Sequence, residues 1–163
     1  MKKNDIHLTL VAGNRREIAD FFIDAVQRSG LTSQLGKSIH VLQTNTRLEY
    51  FNAFDQLLRK TDILWTKPSE LSFFCGIGLP IIIAPPVGSQ EDFNKRWLLQ
   101  VGAGVRQNDA KYTNEWLFDW VESGGLARLA WNGFMEAPTH GTYRIEDVIN
   151  KRSSELELLP HIV

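Results

Sequence analysis

The sequence has a single cysteine, Cys75, among its 163 residues. One thiol excludes an internal disulfide framework and a cysteine-based zinc cluster. Cys75 lies in an apolar segment, which suits a buried structural thiol better than a nucleophile. A charge excess is also lacking, since 18 Lys+Arg stand against 19 Asp+Glu for a formal net charge of −1. Duplex-binding proteins draw most of their affinity from neutralised phosphates and carry a basic stripe. No such run occurs, so nucleic acid is not expected as a partner. The four histidines (His7, His40, His140 and His161) are scattered, with no pair at ligand spacing, and no metal site is expected. Long apolar runs are missing too. The longest, Gly76 to Pro86, is far too short to span a bilayer, so no transmembrane segment is expected. The opening MKKNDIHLTL lacks the apolar core of a signal peptide. Together these absences predict a soluble, cytoplasmic protein.

What is present is ordinary for a globular chain: 43% hydrophobic and 23% charged residues, over a length that suits one domain. No repeat, low-complexity tract or linker divides it. The expectation is one α/β domain over 1–150, with 151–163 a loosely attached tail.

Short apolar runs alternate with amphipathic stretches. Ile6 to Ala12 reads as a buried strand ending at Gly13. Asn14 with Glu17 resembles a capping box, and Ile18, Phe21, Phe22, Ala25 and Val26 follow at helical spacing until Gly30. The unit recurs in kind. Ile39, Val41 and Leu42 suggest a second strand, and Thr46 with Glu49 a second capping box. Leu48, Phe51, Phe54, Leu57 and Leu58 then form the apolar face of a helix. Ile63 to Trp65 is a third strand, and Ser69 can cap the helix after it. Pro80 to Ala84 is a fourth strand, apolar throughout and so buried on both faces. The next helix runs from about Gln90 to Val101, with Phe93, Trp97 and Val101 at intervals of four. Beyond Gly104 two helices are expected, Thr113 to Val121 and Leu126 to Met135, and a short one at Ile145 to Ile149. This alternation predicts an α/β, Rossmann-like parallel sheet with helices on both faces.

In open parallel sheets ligands bind beyond the C-terminal ends of the strands. Two loops leave strands there with conspicuous polar groups: Thr66-Lys67-Pro68-Ser69-Glu70, and Gly88 to Asn94. Helix N-termini offer unpaired N–H groups and a positive dipole end, a natural seat for a diphosphate. Lys67 adds a point charge, and Glu70 or Glu91 can accept hydrogen bonds from ribose or sugar hydroxyls.

Four segments at these positions, D-I-L-W-T-K-P, G-L-P-I-I-I-A-P, G-S-Q-E-D-F-N and V-G-A-G-V, stand in an order that resembles one group of GT-B glycosyltransferases. The resemblance is to the C-terminal, donor-binding half of the peptidoglycan N-acetylglucosaminyltransferase and the diacylglycerol glycosyltransferases. It covers about Ile6 to Val105 and is best from Thr61 to Gly104. It implies a GT-B C-terminal-half fold and a nucleotide-diphosphate sugar as ligand, usually a UDP-sugar, with no cofactor and no metal needed. By match to the family pattern, Gln90, Glu91 and Asn94 fall where side chains contact the donor sugar, and Thr66 and Lys67 fall in the phosphate loop. The sequence departs from the pattern in two places. The family's ribose-binding Glu position is Phe73, leaving Glu70 one turn earlier as a substitute. The family's first strand with its glycine-rich loop, and the whole acceptor half, have no counterpart. The expected partner is therefore a missing N-terminal half. An apolar surface around Phe21 and Phe22, uncovered where the first strand belongs, would favour a homodimer.

Each candidate also has a plainer reading. Lys67 can be a solvated loop residue, and Glu70 a first-turn Glu that complements the helix dipole. Gln90, Glu91 and Asp92 can be an ordinary polar first turn. Trp97, Trp116, Trp120 and Trp131 suit packing better than sugar stacking, whereas Trp65, at a strand end, is a candidate for base stacking. The G-A-G at 102–104 follows a helix and reads as a turn, without the preceding strand that a nucleotide fingerprint needs. Two function classes compete: a glycosyltransferase donor half, and a degenerate interaction domain that keeps the fold without the site. A sugar-nucleotide 2-epimerase ranks below both, for want of its acid and His pattern.

Overall fold

The computed structural model describes residues 6–69 and 71–149. Contacts within the chain group it into two compact units, Met1–Thr61 and Asp62–Val163. The tail expected at 151–163 lies outside the described residues.

In the first unit, β1 (Leu8–Gly13), α1 (Arg16–Arg28), β2 (Ile39–Gln43) and α2 (Arg47–Leu58) follow in order. β1 and β2 pair in parallel, Leu8 opposite Ile39 through Val11 opposite Leu42, before a bulge brings Gly13 opposite Gln43. The Thr46 capping box forms as expected. The Thr46 hydroxyl accepts from the Glu49 N–H at 3.2 Å, and the Glu49 carboxylate accepts from the Thr46 N–H at 3.2 Å. The Asn14 box does not form. Arg15 is the N-cap of α1 and makes no side-chain capping bond, because the turn after Gly13 delays the helix by one residue. Glu17 is thereby at the second helical position, where it cannot reach back as the third-position Glu of a box does. The expected apolar face of α2 is only partly used: Phe54, Leu57 and Leu58 are half-buried, while Leu48 and Phe51 are exposed. Phe21 is exposed, as the sequence suggested.

The second unit carries β3 (Leu64–Thr66), α3 (Leu71–Gly76), β4 (Ile81–Ile83), α4 (Ser89–Val101) and β5 (Gly104–Arg106). Helices α5 (Thr113–Glu122), α6 (Gly125–Glu136) and α7 (Gly141–Ile149) follow. The strands pair in parallel in the order β3-β4-β5, with Leu64, Ile81 and Gly104 in one row and Thr66, Ile83 and Arg106 in another. As the central strand, β4 is sealed: Ile81, Ile82 and Ile83 are 0%, 1% and 2% exposed.

β5 is the strand that the sequence reading passes over, because two glycines in five residues suppress strand propensity. Close packing explains their presence. Leu98 of α4 is fully buried and lies so tightly on Gly104 that a Cβ there would collide with its side chain and crowd the Ile81 carbonyl. Left-handed Gly102 ends α4 and lets the Ala103 N–H return to the Leu98 carbonyl at 3.2 Å. Leu98, rather than the expected Phe93, is therefore the anchor of α4, and Phe93 is 61% exposed. A second tight seat joins α3 to α6. Leu71, Phe74 and Cys75 meet a face of α6 built from Leu126, Leu129 and Gly133, all buried. A Cβ on Gly133 would lie 2.8 Å from the Cys75 carbonyl oxygen and 3.0 Å from its sulfur.

Two outcomes follow from this packing. Gly104→Ala forces Leu98 off its seat and lowers stability by about 1–3 kcal/mol, read as a lower denaturation midpoint with an unchanged slope. Cys75 is fully buried, and loss of hydration pushes its thiol from 9.0 up to about 11. The unfolded thiol ionises first. Its contribution is thus complete below pH 9.0 and is lost as the pH rises through about 11. Denaturation curves of the wild type and Cys75→Ala, compared across that range, should converge as the pH rises.

Candidate functional site

The C-terminal ends of β3, β4 and β5 form one rim, since the three strands are in register. The ladder continues one step past them: the Ala84 N–H bonds the Thr66 carbonyl at 2.9 Å, and the Gln107 N–H bonds the Ile83 carbonyl at 3.1 Å. The loops after the strands are thereby fixed at their roots.

Both sequence-predicted loops lie on this rim, and one side chain joins them. Asn94, in the second turn of α4, donates from Nδ2 to the Pro68 carbonyl at 2.9 Å and to the Ser69 carbonyl at 3.3 Å. Pro68 is fully buried, and the Ser69 N–H closes a tight turn onto the Lys67 carbonyl at 2.8 Å. Ser69, Leu71, Ser72, Asn94 and Trp97 line a hollow of about 180 Å³ beside this tether. Thr66 is half-buried at the end of β3. Lys67 is exposed at the turn and makes no ion pair among the described residues. Glu70, the substitute ribose ligand, lies outside the described residues. Phe73, at the family's Glu position, is 57% exposed on α3.

The second loop is shaped by Glu91, whose carboxylate accepts from the Val87 N–H at 2.6 Å. Gly88 is the N-cap of α4 and brings no side-chain capping bond, while the first-turn Glu91 folds back over this helix end. Gln90 is exposed in the first turn. Asp92 is committed elsewhere. Its hydrogen bond from Lys95 at 2.7 Å holds its carboxyl below the usual range, and the charges of Lys95 and Arg96 add to this against partial desolvation.

Trp65 is held at both ends. Its indole N–H donates to Gln107 Oε1 at 2.8 Å, and its ring meets Trp116 edge-on at 5.4 Å and 68°. The Trp116 N–H in turn donates to the Asp109 carbonyl at 2.9 Å. Gln107 and Asp109 thus belong to the rim although sequence reasoning missed them. The missing signal was β5: once Gly104–Arg106 is a strand, 107–109 must leave the same sheet end. Among the described residues no group of three or more His, Cys, Asp or Glu could hold a metal ion. No helix among them is long and apolar enough to cross a membrane.

Residues 2–144 match the family described as a domain of unknown function, DUF6938. The chain belongs to that family. A search of curated proteins found no match. Among solved structures, the crystal structure of Acinetobacter baumannii MurG is similar, with a TM-score of 0.61 at 13% sequence identity. The match covers 93% of this chain and 54% of that one, so the chain spans about half the length of the solved protein. At this identity the likeness concerns fold. The DUF6938 chain has parallel sheets flanked by helices and resembles the C-terminal half of a GT-B glycosyltransferase, as the sequence motifs implied.

The Asn94 tether yields its own test. Asn94→Leu removes both donated bonds, leaves two carbonyls without them, and costs about 1–3 kcal/mol. Hydrogen exchange at Ser69 should accelerate while exchange in β4 changes only by the global loss of stability.

Proposed function

We propose that this DUF6938 chain is the donor-binding part of a glycosyltransferase and seats a nucleotide-diphosphate sugar, a UDP-sugar, on the rim of β3, β4 and β5. The observation that carries the reading is the Asn94 tether. It holds the Thr66–Ser69 loop against α4, whose N-cap is a glycine. The α4 N–H groups and dipole offer donors to a diphosphate and Lys67 a mobile cation, while the first-turn carboxylates Glu91 and Asp92 are engaged by the Val87 N–H and Lys95. Thr66 and Ser69 offer hydroxyls to the same group. Gln90 and Glu91 stand in the first turn of α4 for the sugar hydroxyls, and Glu70 remains the proposed ribose ligand. Asn94 contributes by position, since its amide nitrogen is already engaged with the loop.

The chemistry assigned to this part is electrostatic. It holds the leaving diphosphate in place while an acceptor hydroxyl attacks the anomeric carbon. Acceptor and general base belong to a separate N-terminal half, in keeping with a match to about half of a longer protein. A cytoplasmic setting goes with this reading. The alternative, an interaction domain that keeps the fold without the site, is favoured by the exposed Phe73 where the family pattern has a Glu.

Calorimetric titration with UDP, UDP-glucose, UDP-N-acetylglucosamine and a GDP control separates the two. The donor reading expects specific binding of uridine ligands, weakened about tenfold or more in Lys67→Ala through loss of a charged hydrogen bond. No heat and no thermal stabilisation at millimolar ligand, for the chain alone and with its acceptor half, would leave the interaction domain.

A further inference from the structure

We propose that the hollow at the turn between α5 and α6 binds a saccharide, with Trp120 as its platform. The two glycines of the turn make the space. Gly124 takes the left-handed conformation that carries the chain from α5 into α6, and neither Gly124 nor Gly125 brings a side chain to fill the gap. Asp119, Trp120, Ser123 and Arg128 stand around these glycines and border a hollow of about 440 Å³. That volume lies within the roughly 300–1,000 Å³ usual for small-ligand sites. None of these residues belongs to the rim.

The indole is fixed in place. Trp120 is half-buried, and its ring lies so close to Gly125 that a Cβ there would collide with Cε3 and stand 3.0 Å from Cζ3. A side chain at 125 would therefore displace the ring. From this seat Trp120 lines the hollow, so its amphipathic position on α5 serves packing and leaves apolar ring surface for a ligand.

The polar groups around the hollow select the class of ligand. Asp119 and Arg128 border the same space, yet their side chains make no ion pair or hydrogen bond among the described residues. The Trp120 indole N–H has no partner among them either, whereas those of Trp65 and Trp116 are both bonded. An acceptor carboxylate and two kinds of donor thus remain uncommitted. They complement a ring of hydroxyls, each of which donates one hydrogen bond and accepts others. Charge points the same way. The lining carries one negative and one positive group, so a simple anion meets Asp119 and a simple cation meets Arg128. A zwitterion would pair with both, but both are exposed, and exposed ion pairs contribute little. A neutral hydroxylated ring draws instead on charge-assisted hydrogen bonds and on the apolar area of the indole.

Titration of the full chain with glucose, N-acetylglucosamine and maltotriose tests this, followed by proton–nitrogen NMR at the Trp120 indole and the Gly124 and Gly125 amides. The expected result is a saturable shift at these positions with at least one of the sugars, with Kd on the order of 1–10 mM for so open a site. Asp119→Asn and Arg128→Gln should each weaken binding about threefold to tenfold through loss of a charged hydrogen bond. Trp120→Ala should abolish it, read at the two glycine amides, with circular dichroism reporting that each variant is folded. No saturable shift with any of the three sugars overturns the proposal, as does a shift that either Asp119→Asn or Arg128→Gln leaves intact. Saturation of the hollow by glycine or inorganic phosphate in place of the sugars overturns it as well. So do sugar shifts that appear at Lys67 and Gln90 on the rim instead.

Discussion

The seating of Leu98 on Gly104 is the contact from which the rest of the second unit follows. It fixes the distance between α4 and the sheet at a value that only a glycine in β5 allows. That distance sets where the N-terminus of α4 emerges relative to the strand ends. Asn94 stands one helical turn before Leu98 and reaches the Pro68 and Ser69 carbonyls only because α4 lies this close. Core packing and rim geometry are thus one constraint. A buried leucine positions a polar loop through four residues of helix.

The rim gains its character from how its polar groups are divided. Glu91, Asn94 and Asp92 make internal hydrogen bonds that shape loop and helix. Gln90 and Lys67 are exposed, and the α4 N-terminus carries no side-chain cap. The first group builds a surface and the second leaves donors and a cation on it. On the proposed donor reading, preformed donors need no reorganisation when an anionic ligand arrives. The division also suits a sequence that keeps Q-E-D-F-N in order, since a loop that must hold its shape constrains the residues that hold it.

Much of this was legible in the chain itself. β1 to β4 and their helices declare themselves by apolar runs between punctuating glycines and prolines, and the Thr46 box by its Glu49 partner. What failed did so where tertiary packing outweighed local pattern. Gly102 and Gly104 look like a turn, yet one ends a helix and the other opens a strand beneath Leu98. Asn14 has the sequence of a cap, but the Gly13 turn moves the helix start past it. On α4, interval counting selected Phe93, whereas the buried position is Leu98. For the candidate site, the two loops and their neighbourhood were readable from motif order. The Trp65–Gln107–Trp116 cluster was not, because its members are joined only through β5.

The division between built and open surface extends to α6. One face of that helix presses Gly133 onto Cys75 with no room for a methyl group, while the other leaves Trp131, Phe134 and Met135 in solvent. A helix needed only to cover α3 would be stabilised by polar residues on its outer face, and by charges that follow its dipole. α6 departs from this: its exposed charges, Arg128 and Glu136, stand near the ends where the dipole disfavours them, and Trp131, Phe134 and Met135 between them are large and apolar. Exposed apolar groups of this size carry a cost in solubility. The rim and the seat of α6 on α3 thus share one framework, each held by a close contact that a glycine, at 104 or 133, permits.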